Sequence, residues 1–342
     1  MKTDLVVIGR GAVSPAGVGL DALLRREPVP VLVPAPGDPL RPRPVLRVDL
    51  KDPAFTRWER EPRLRRASPM SLFLIEAAEQ ALAGIGPADR AATGLIVAFS
   101  AGCVGYSRRF FETIVTQGQK MASPALFPET VFNSPVSHVA SVLGLNGAAY
   151  SLVGDESAWI AALKTAYVWL RLERVKQVLV LGAEEFDPVI LDAYRSAHWL
   201  RHQPCANRFL ASEGAAGILV RLRGGYHSPG LGPTISRACD GLIYRSRKEA
   251  AAAADRLCRE SDPELPAYPT AGRNWLGPLE KRFAENRPAV RDETRPYLGE
   301  AFTASAAWHT LRALAALNPK QPRLLLPVWG LNHQLGWLEL EN

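Results

Sequence analysis

The sequence predicts an α/β protein of layered, duplicated architecture. First, residues 148–153, a helical stretch to about residue 172, and residues 177–181 run strand, crossover helix, strand, which makes a right-handed parallel βαβ unit. Second, a weaker round of the same alternation follows residue 222. Third, 342 residues with 47% hydrophobic and 22% charged side chains are ordinary globular composition, long enough for two domain-sized halves. The chain divides into residues 1–222 and a shorter 223–342.

The elements follow in order. Residues 5–9 are a buried strand run ending in a glycine turn. The proline-rich stretch 28–44 is expected to hold no regular structure and to run extended over the surface. Leu72, Ile75, Ala78 and Leu82 are spaced for a helix over 69–84, and 94–100 is a second buried strand. A helix over 107–116 leads into a proline-punctuated loop, then a helix over 136–143 stopped at Gly144. The βαβ unit turns at Gly154, Asp155 and Glu156. Residues 217–221 add a strand. The second round gives a strand over 233–239, helices over 250–259 and 297–317, and strands near 324–328 and 336–340, the rounds being mainly parallel.

Charge and chemistry-bearing residues narrow the function classes. The net charge is +7 with a pI near 9.4. Arg57, Arg60, Arg63, Arg65 and Arg66 fall within ten residues. Such a face attracts nucleic acid, anionic lipid or an acidic protein, and a simply solvated surface accounts for it equally well. One interleaved aromatic, Trp58, and no binding motif argue against nucleic acid. Cys103, Cys205, Cys239 and Cys258 lack paired spacing, which argues against a zinc site or a disulfide scaffold. Cys103 follows a strand end and is better taken as a small buried thiol than as a nucleophile. The six histidines share no ligand spacing; His198 and His202 fit one helix face but lack a third ligand. No metal and no cofactor are expected. The longest apolar runs are strand-sized, far below the roughly 20 residues of a membrane span, and the N-terminus leads straight into a strand, so no membrane association and a cytoplasmic location are expected.

Several short motifs in fixed order resemble the β-ketoacyl synthase (condensing enzyme) family of the thiolase fold. Residues 6–17 are similar to that family's first strand and turn. Pro128, Val131, Asn133 and Leu143 to Gly147 resemble the approach to its nucleophile, Gly182-Ala183-Glu184 the end of the next strand, and residues 209–217 the segment after it. The resemblance spans nearly the whole chain, more strongly to about residue 222. It implies a thiolase-like α-β-α-β-α fold.

The catalytic positions depart from that pattern. A gapless count from Gly147 to Gly182 places Glu156 where the family has its cysteine. A carboxylate there cannot carry the acyl thioester of a Claisen condensation. Ser157 stands one residue off the turn with no histidine partner evident. The family's first histidine falls at Tyr268 or Pro269, the second at Glu300, and its lysine at Arg295. Ordinary synthase chemistry is therefore excluded.

Two readings remain. In one, the chain resembles chain-length-factor subunits, which lack the cysteine, commonly carry glutamine there, and pair with an active ketosynthase. Glu156 is then structural, ionised and stabilised by the following helix, with Phe132, Asn133 and Trp159 at the subunit interface and residues 148–153 at its seam. In the other, Glu156 and Glu300 share the old pocket as acid and base, Tyr268 or Arg295 orients a carbonyl, and the chain decarboxylates, transfers or hydrolyses carrier-bound acyl groups. The same carboxylates also suit a bonded cluster around Arg295. On either reading Phe132, Asn133, Ser157, Phe209 and Trp329 are expected near substrate. The expected partners are an acidic acyl carrier protein, docked on Arg63, Arg65 and Arg66, and a cysteine-bearing ketosynthase in a heterodimer, or a second copy in a homodimer.

Overall fold

The computed structural model describes residues 1–35, 38–197, 209–224, 232–270, 273–288, 290 and 296–342. The first third of the chain comprises β1 (Lys2–Ser14), β2 (Gly17–Val18), α1 (Leu20–Arg25), β3 (Val31–Ala35), β4 (Asp38–Val45), α2 (Thr56–Glu59), α3 (Pro69–Ala81), α4 (Pro87–Ala91), β5 (Thr93–Phe99) and α5 (Val104–Gln117). The βαβ core follows as α6 (Ser134–Leu143), β6 (Ala149–Val153), α7 (Ala158–Arg171) and β7 (Gln177–Glu184). After it come α8 (Pro188–Ser196), β8 (Gly214–Leu222), β9 (Thr234–Ile243), α9 (Arg247–Glu260), α10 (Gly277–Glu285), α11 (Phe302–Ala316), β10 (Arg323–Trp329) and β11 (Gln334–Glu341).

Among the described residues, one nine-stranded sheet runs in the order β10-β11-β9-β1-β8-β7-β5-β6, with β2 on β1. Parallel pairing is confined to β5, which lies between β6 and β7. The other pairs of this sheet are antiparallel, so the mainly parallel sheet expected from the sequence is a mixed one. The crossover helix α7 joins parallel strands, whereas β10 and β11 are joined by a four-residue hairpin loop, a connection that only antiparallel strands accept.

The layers emerge from the packing. Ile96, Val180 and Ile218 on one arm of the sheet, and Ile235, Leu326 and Leu338 on the other, share one core with α7 and α11. The opposite face of the first arm packs on α3 and α6, and that of the second on α9 and α10. The result is α-β-α-β-α, with α7 and α11 in the middle. A helix enclosed on all sides must be apolar all round, and α11 is buried along nearly its whole length. Its few polar groups are satisfied: Thr303 Oγ1 donates to the carbonyls of Ala98 and Ala183, and Trp308 Nε1 lies 3.2 Å from those of Val13 and Ala215. Trp159 on α7 is fully buried and donates to Thr310 Oγ1 at 2.9 Å, so it is a core residue rather than an interface residue.

Three further expectations are corrected. Gly9 ends no turn: β1 continues to Ser14, and Gly9 and Gly11 sit where α3 crosses so closely that a Cβ would overlap the carbonyl oxygens of Ala81 and Ala77. The proline-rich stretch is not irregular throughout, because β3 (Val31–Ala35) and β4 (Asp38–Val45) form a separate two-stranded ribbon. Both strands of such a ribbon are edges, where proline's missing N–H is tolerated. The helix expected from residue 297 begins at Phe302.

The close approach of α3 to β1 gives a stability test. Gly11→Ala should cost about 1–3 kcal/mol, because backbone rather than a movable side chain blocks the methyl. Urea unfolding measures it, and an unchanged midpoint would refute this account of the packing.

Candidate functional site

The chain leaves β6 through Gly154, Asp155, Glu156 and Ser157 and enters α7 at Ala158. Both acids are buried, each about 5% exposed. Glu156 Oε2 accepts the backbone N–H of Leu331 at 2.9 Å. Asp155 accepts the N–H of Asn332 at 3.2 Å and that of Ser157 at 3.0 Å. Two consecutive carboxyl groups thus reach across to the loop between β10 and β11. Gly330 opens that loop, and a Cβ there would stand 2.3 Å from the Gln334 carbonyl oxygen and 2.5 Å from Asp155 Oδ2, which restricts the position to glycine.

Electrostatics at the turn oppose ionisation. Burial, then the neighbouring Asp155 and more distantly Glu300, raise the Glu156 carboxyl well above the ordinary range. Burial also raises Asp155, against the bonds from Ser157 and Asn332. Burial thus works against the ionised Glu156 that the sequence suggests at the start of α7. The Ser157 hydroxyl lies 2.5 Å from Asp155 Oδ1 and 2.6 Å from Gln334 Oε1. Its partners are a carboxyl and an amide, not the imidazole that would activate a nucleophile.

Glu156 and Glu300 line the same cavity of about 30 Å³, together with Glu280, Asn274, His309 and Trp329. That volume holds about one or two waters. Glu300 precedes α11, where its backbone bridges to Ala211. Its carboxyl accepts from the Arg273 N–H at 2.9 Å, the Tyr297 hydroxyl at 3.2 Å and Asn274 Nδ2 at 3.4 Å. Burial raises its proton affinity and the Glu280 charge adds to this, while the hydrogen bonds oppose it. Glu280 accepts from the Thr270 N–H at 2.9 Å.

The other expected site residues scatter. Trp329 lines the cavity. Phe209 is buried edge-on against Tyr194, which also meets Phe302, forming an aromatic cluster. Tyr268 is packed in the central core and does not line the cavity. Ser157 does not line it either, being held at the turn. Phe132 is half exposed and leans on Phe99 beside β6, and Asn133 is exposed next to it, so neither reaches the cavity. Arg295 lies outside the described residues, as do His198, His202, Cys205 and His227. Arg63 is bound to Glu61 at 2.6 Å, whereas Arg65 and Arg66 are exposed and make no ion pair among the described residues. Cys103 is buried, with burial raising its thiol to about 12. No group of three metal-ligating side chains occurs among the described residues, and no helix among them is long and apolar enough to cross a membrane.

Sequence reasoning missed Glu280, Tyr194 and the partners of the turn. Burial first, then the charges of Glu184, Glu156 and Glu300, push the Tyr194 hydroxyl well up. Glu184, ending β7, accepts the N–H groups of Ser100 and Ala101 at 2.9 and 3.0 Å, yet burial raises it to about 8. Glu185 is raised to about 7, again chiefly by burial.

These raised carboxyls set the sign of the pH dependence. Between about pH 4.5 and about 8 the native state binds more protons than the unfolded chain, so stability falls as pH rises through that window. Urea midpoints at pH 5, 6.5 and 8 should decrease in that order, with a shallower slope for Glu184→Gln. A rising series would contradict the assignment.

The comparisons with known proteins bear on this geometry. Residues 44–223, over half of the chain, match the family described as β-ketoacyl synthase, N-terminal domain. No curated protein sequence matches the chain. Among solved structures, the ishigamide ketosynthase/chain length factor is 18% identical with a TM-score of 0.80, covering 99% of both chains. A β-ketoacyl synthase from Burkholderia phymatum STM815 is 15% identical with a TM-score of 0.74, covering 100% of both. The structure described as AntDE:AntF, a type II polyketide synthase acyl-carrier protein in complex with its ketosynthase bound to the hexaketide, is 15% identical with a TM-score of 0.72, covering 100% of this chain and 99% of that one. At these identities the structural likeness establishes the fold, and the sequence match establishes the family: the chain belongs to the β-ketoacyl synthases.

Proposed function

We propose that this chain is a non-condensing, chain-length-factor-type subunit that works beside a cysteine-bearing ketosynthase in polyketide-, aryl-polyene- or fatty-acid-type biosynthesis. The observation that carries the reading is the Glu156 carboxyl on the strand-to-helix turn, bonded to the Leu331 N–H. Condensation needs a thiolate there to accept the acyl group. The buried thiol of Cys103, raised to about 12, is no substitute.

A partner surface supports the same reading. β6 ends the sheet, so one of its edges has no neighbour among the described strands. On and beside it Tyr150, Val153 and Phe132 are exposed, Phe132 accepting the Ser151 hydroxyl of β6 at its carbonyl. An open edge flanked by large apolar side chains calls for burial by another chain. One neighbour in the same fold is named a ketosynthase/chain length factor, and another is an acyl-carrier protein complex. A cysteine-bearing ketosynthase suits the β6 face, with a homodimer as the alternative. An acidic acyl carrier protein suits the exposed Arg65 and Arg66. We take residues 1–222 and 223–342 as the two unequal halves and the cytoplasm as the compartment.

The shared cavity favours a second reading. Glu156 and Glu300 line one cavity, and both have raised proton affinity, the setting for acid–base chemistry on a carrier-bound acyl group. An intact-mass time course separates the two. The purified chain, alone, is mixed with malonyl- and acyl-loaded carrier protein beside Glu156→Ala. The partner reading expects both proteins to leave the loaded carriers unchanged. Turnover by the unsubstituted chain that is lost in Glu156→Ala would overturn it in favour of the enzyme.

A further inference from the structure

A second cavity, of about 90 Å³, adjoins the one shared by Glu156 and Glu300, with Thr270, Glu300 and His309 lining both. It has room for several waters or one small anion. Arg273 and Arg312 also line it. Arg273 is half-buried, and its guanidinium carbon sits over Tyr297, 3.9 Å from the ring centre. The Tyr297 hydroxyl donates to Glu300 at 3.2 Å, and the Arg273 N–H donates to the same carboxyl at 2.9 Å. Ring and backbone together fix where the guanidinium stands. Arg273 makes no ion pair among the described residues. Arg312, on α11 and 6% exposed, is anchored by bonds from Nε and Nη2 to the Leu23 carbonyl at 3.1 and 2.7 Å. The one carboxyl among the described lining residues is Glu300, and burial favours its neutral form. A neutral carboxyl can donate to an anion instead of repelling it.

We propose that this cavity is a binding site for a small carboxylate anion, with Arg273 as its principal ligand and Arg312 adding positive charge. A guanidinium presents parallel N–H groups that match the two oxygens of a carboxylate. The Tyr297 ring uses the face of Arg273, whereas a carboxylate binds along the edge, so the two contacts are compatible. The position of Glu300 on both walls places the bound anion next to the cavity that holds Glu156. The site needs no partner subunit and no carrier protein, so its test is separate from that of the subunit assignment.

Calorimetric titration of the purified full chain with malonate at pH 7 tests the site. The unsubstituted chain should bind one malonate. Arg273→Gln, which removes the charge and the paired donors, should weaken binding by about tenfold or more. Arg273→Lys keeps the charge without the fork and should fall between the two. Equal affinity in all three, or no binding at millimolar malonate, would overturn the proposal. Inorganic phosphate bound more tightly than malonate would overturn the assignment to a carboxylate. If circular dichroism shows Arg273→Gln unfolded, the unsubstituted chain decides, with modification of Arg273 by phenylglyoxal followed by peptide mass spectrometry. Malonate should slow that modification severalfold, and an unchanged rate would refute the site.

Discussion

The interaction on which the site depends is the pair of bonds from Asp155 and Glu156 to the backbone of Asn332 and Leu331. They join the turn after β6 to the hairpin loop after β10, segments about 175 residues apart. At a strand-to-helix turn the helix dipole favours negative charge, which suits a reactive anion. Here burial works against that preference. A carboxyl withdrawn from water holds its proton more tightly, and the adjacent Asp155 strengthens the effect. The turn that could present a nucleophile is instead a point of attachment.

The layered fold makes that attachment possible. α7 and α11 fill the space between two arms of one sheet, so the start of α7 and the loop beyond β10 meet at one end of the central layer. Thr303 and Trp308 fix α11 to strands of the first arm, setting the position of Glu300 just before it. β6 lies at the far edge with apolar side chains around it. One short segment therefore links an open sheet edge to the buried turn, which is how a partner at that edge would be felt at the site.

The local part of this arrangement was legible in the sequence. Strand, glycine-bounded turn and helix around Glu156 follow from periodicity, and the motif order located the family. Gly9 reads as a turn in the sequence because glycine marks both turns and close packing; only the path of α3 distinguishes the two. The ribbon at residues 31–45 was missed because proline argues against strands except at edges, and edge status is a tertiary property. Glu300 reached the cavity with Glu156 as the motif count implied, whereas Phe132, Asn133 and Ser157 did not. Glu280 and Tyr194 gave no local signal: each is an ordinary helical residue until distant segments fold against it. The sign of the Glu156 charge was equally hidden, since desolvation depends on what covers the group.

The central claim is that Glu156 is a buried, proton-holding carboxyl that fastens the turn to Leu331. Carbon-13 NMR of glutamate side-chain carboxyls, with the Glu156 signal assigned by its loss in Glu156→Gln, measures this directly. The account predicts that the signal keeps its protonated position well above the ordinary glutamate midpoint near 4.5. A midpoint at or below that ordinary value would show an ionised, solvated carboxylate and contradict the account.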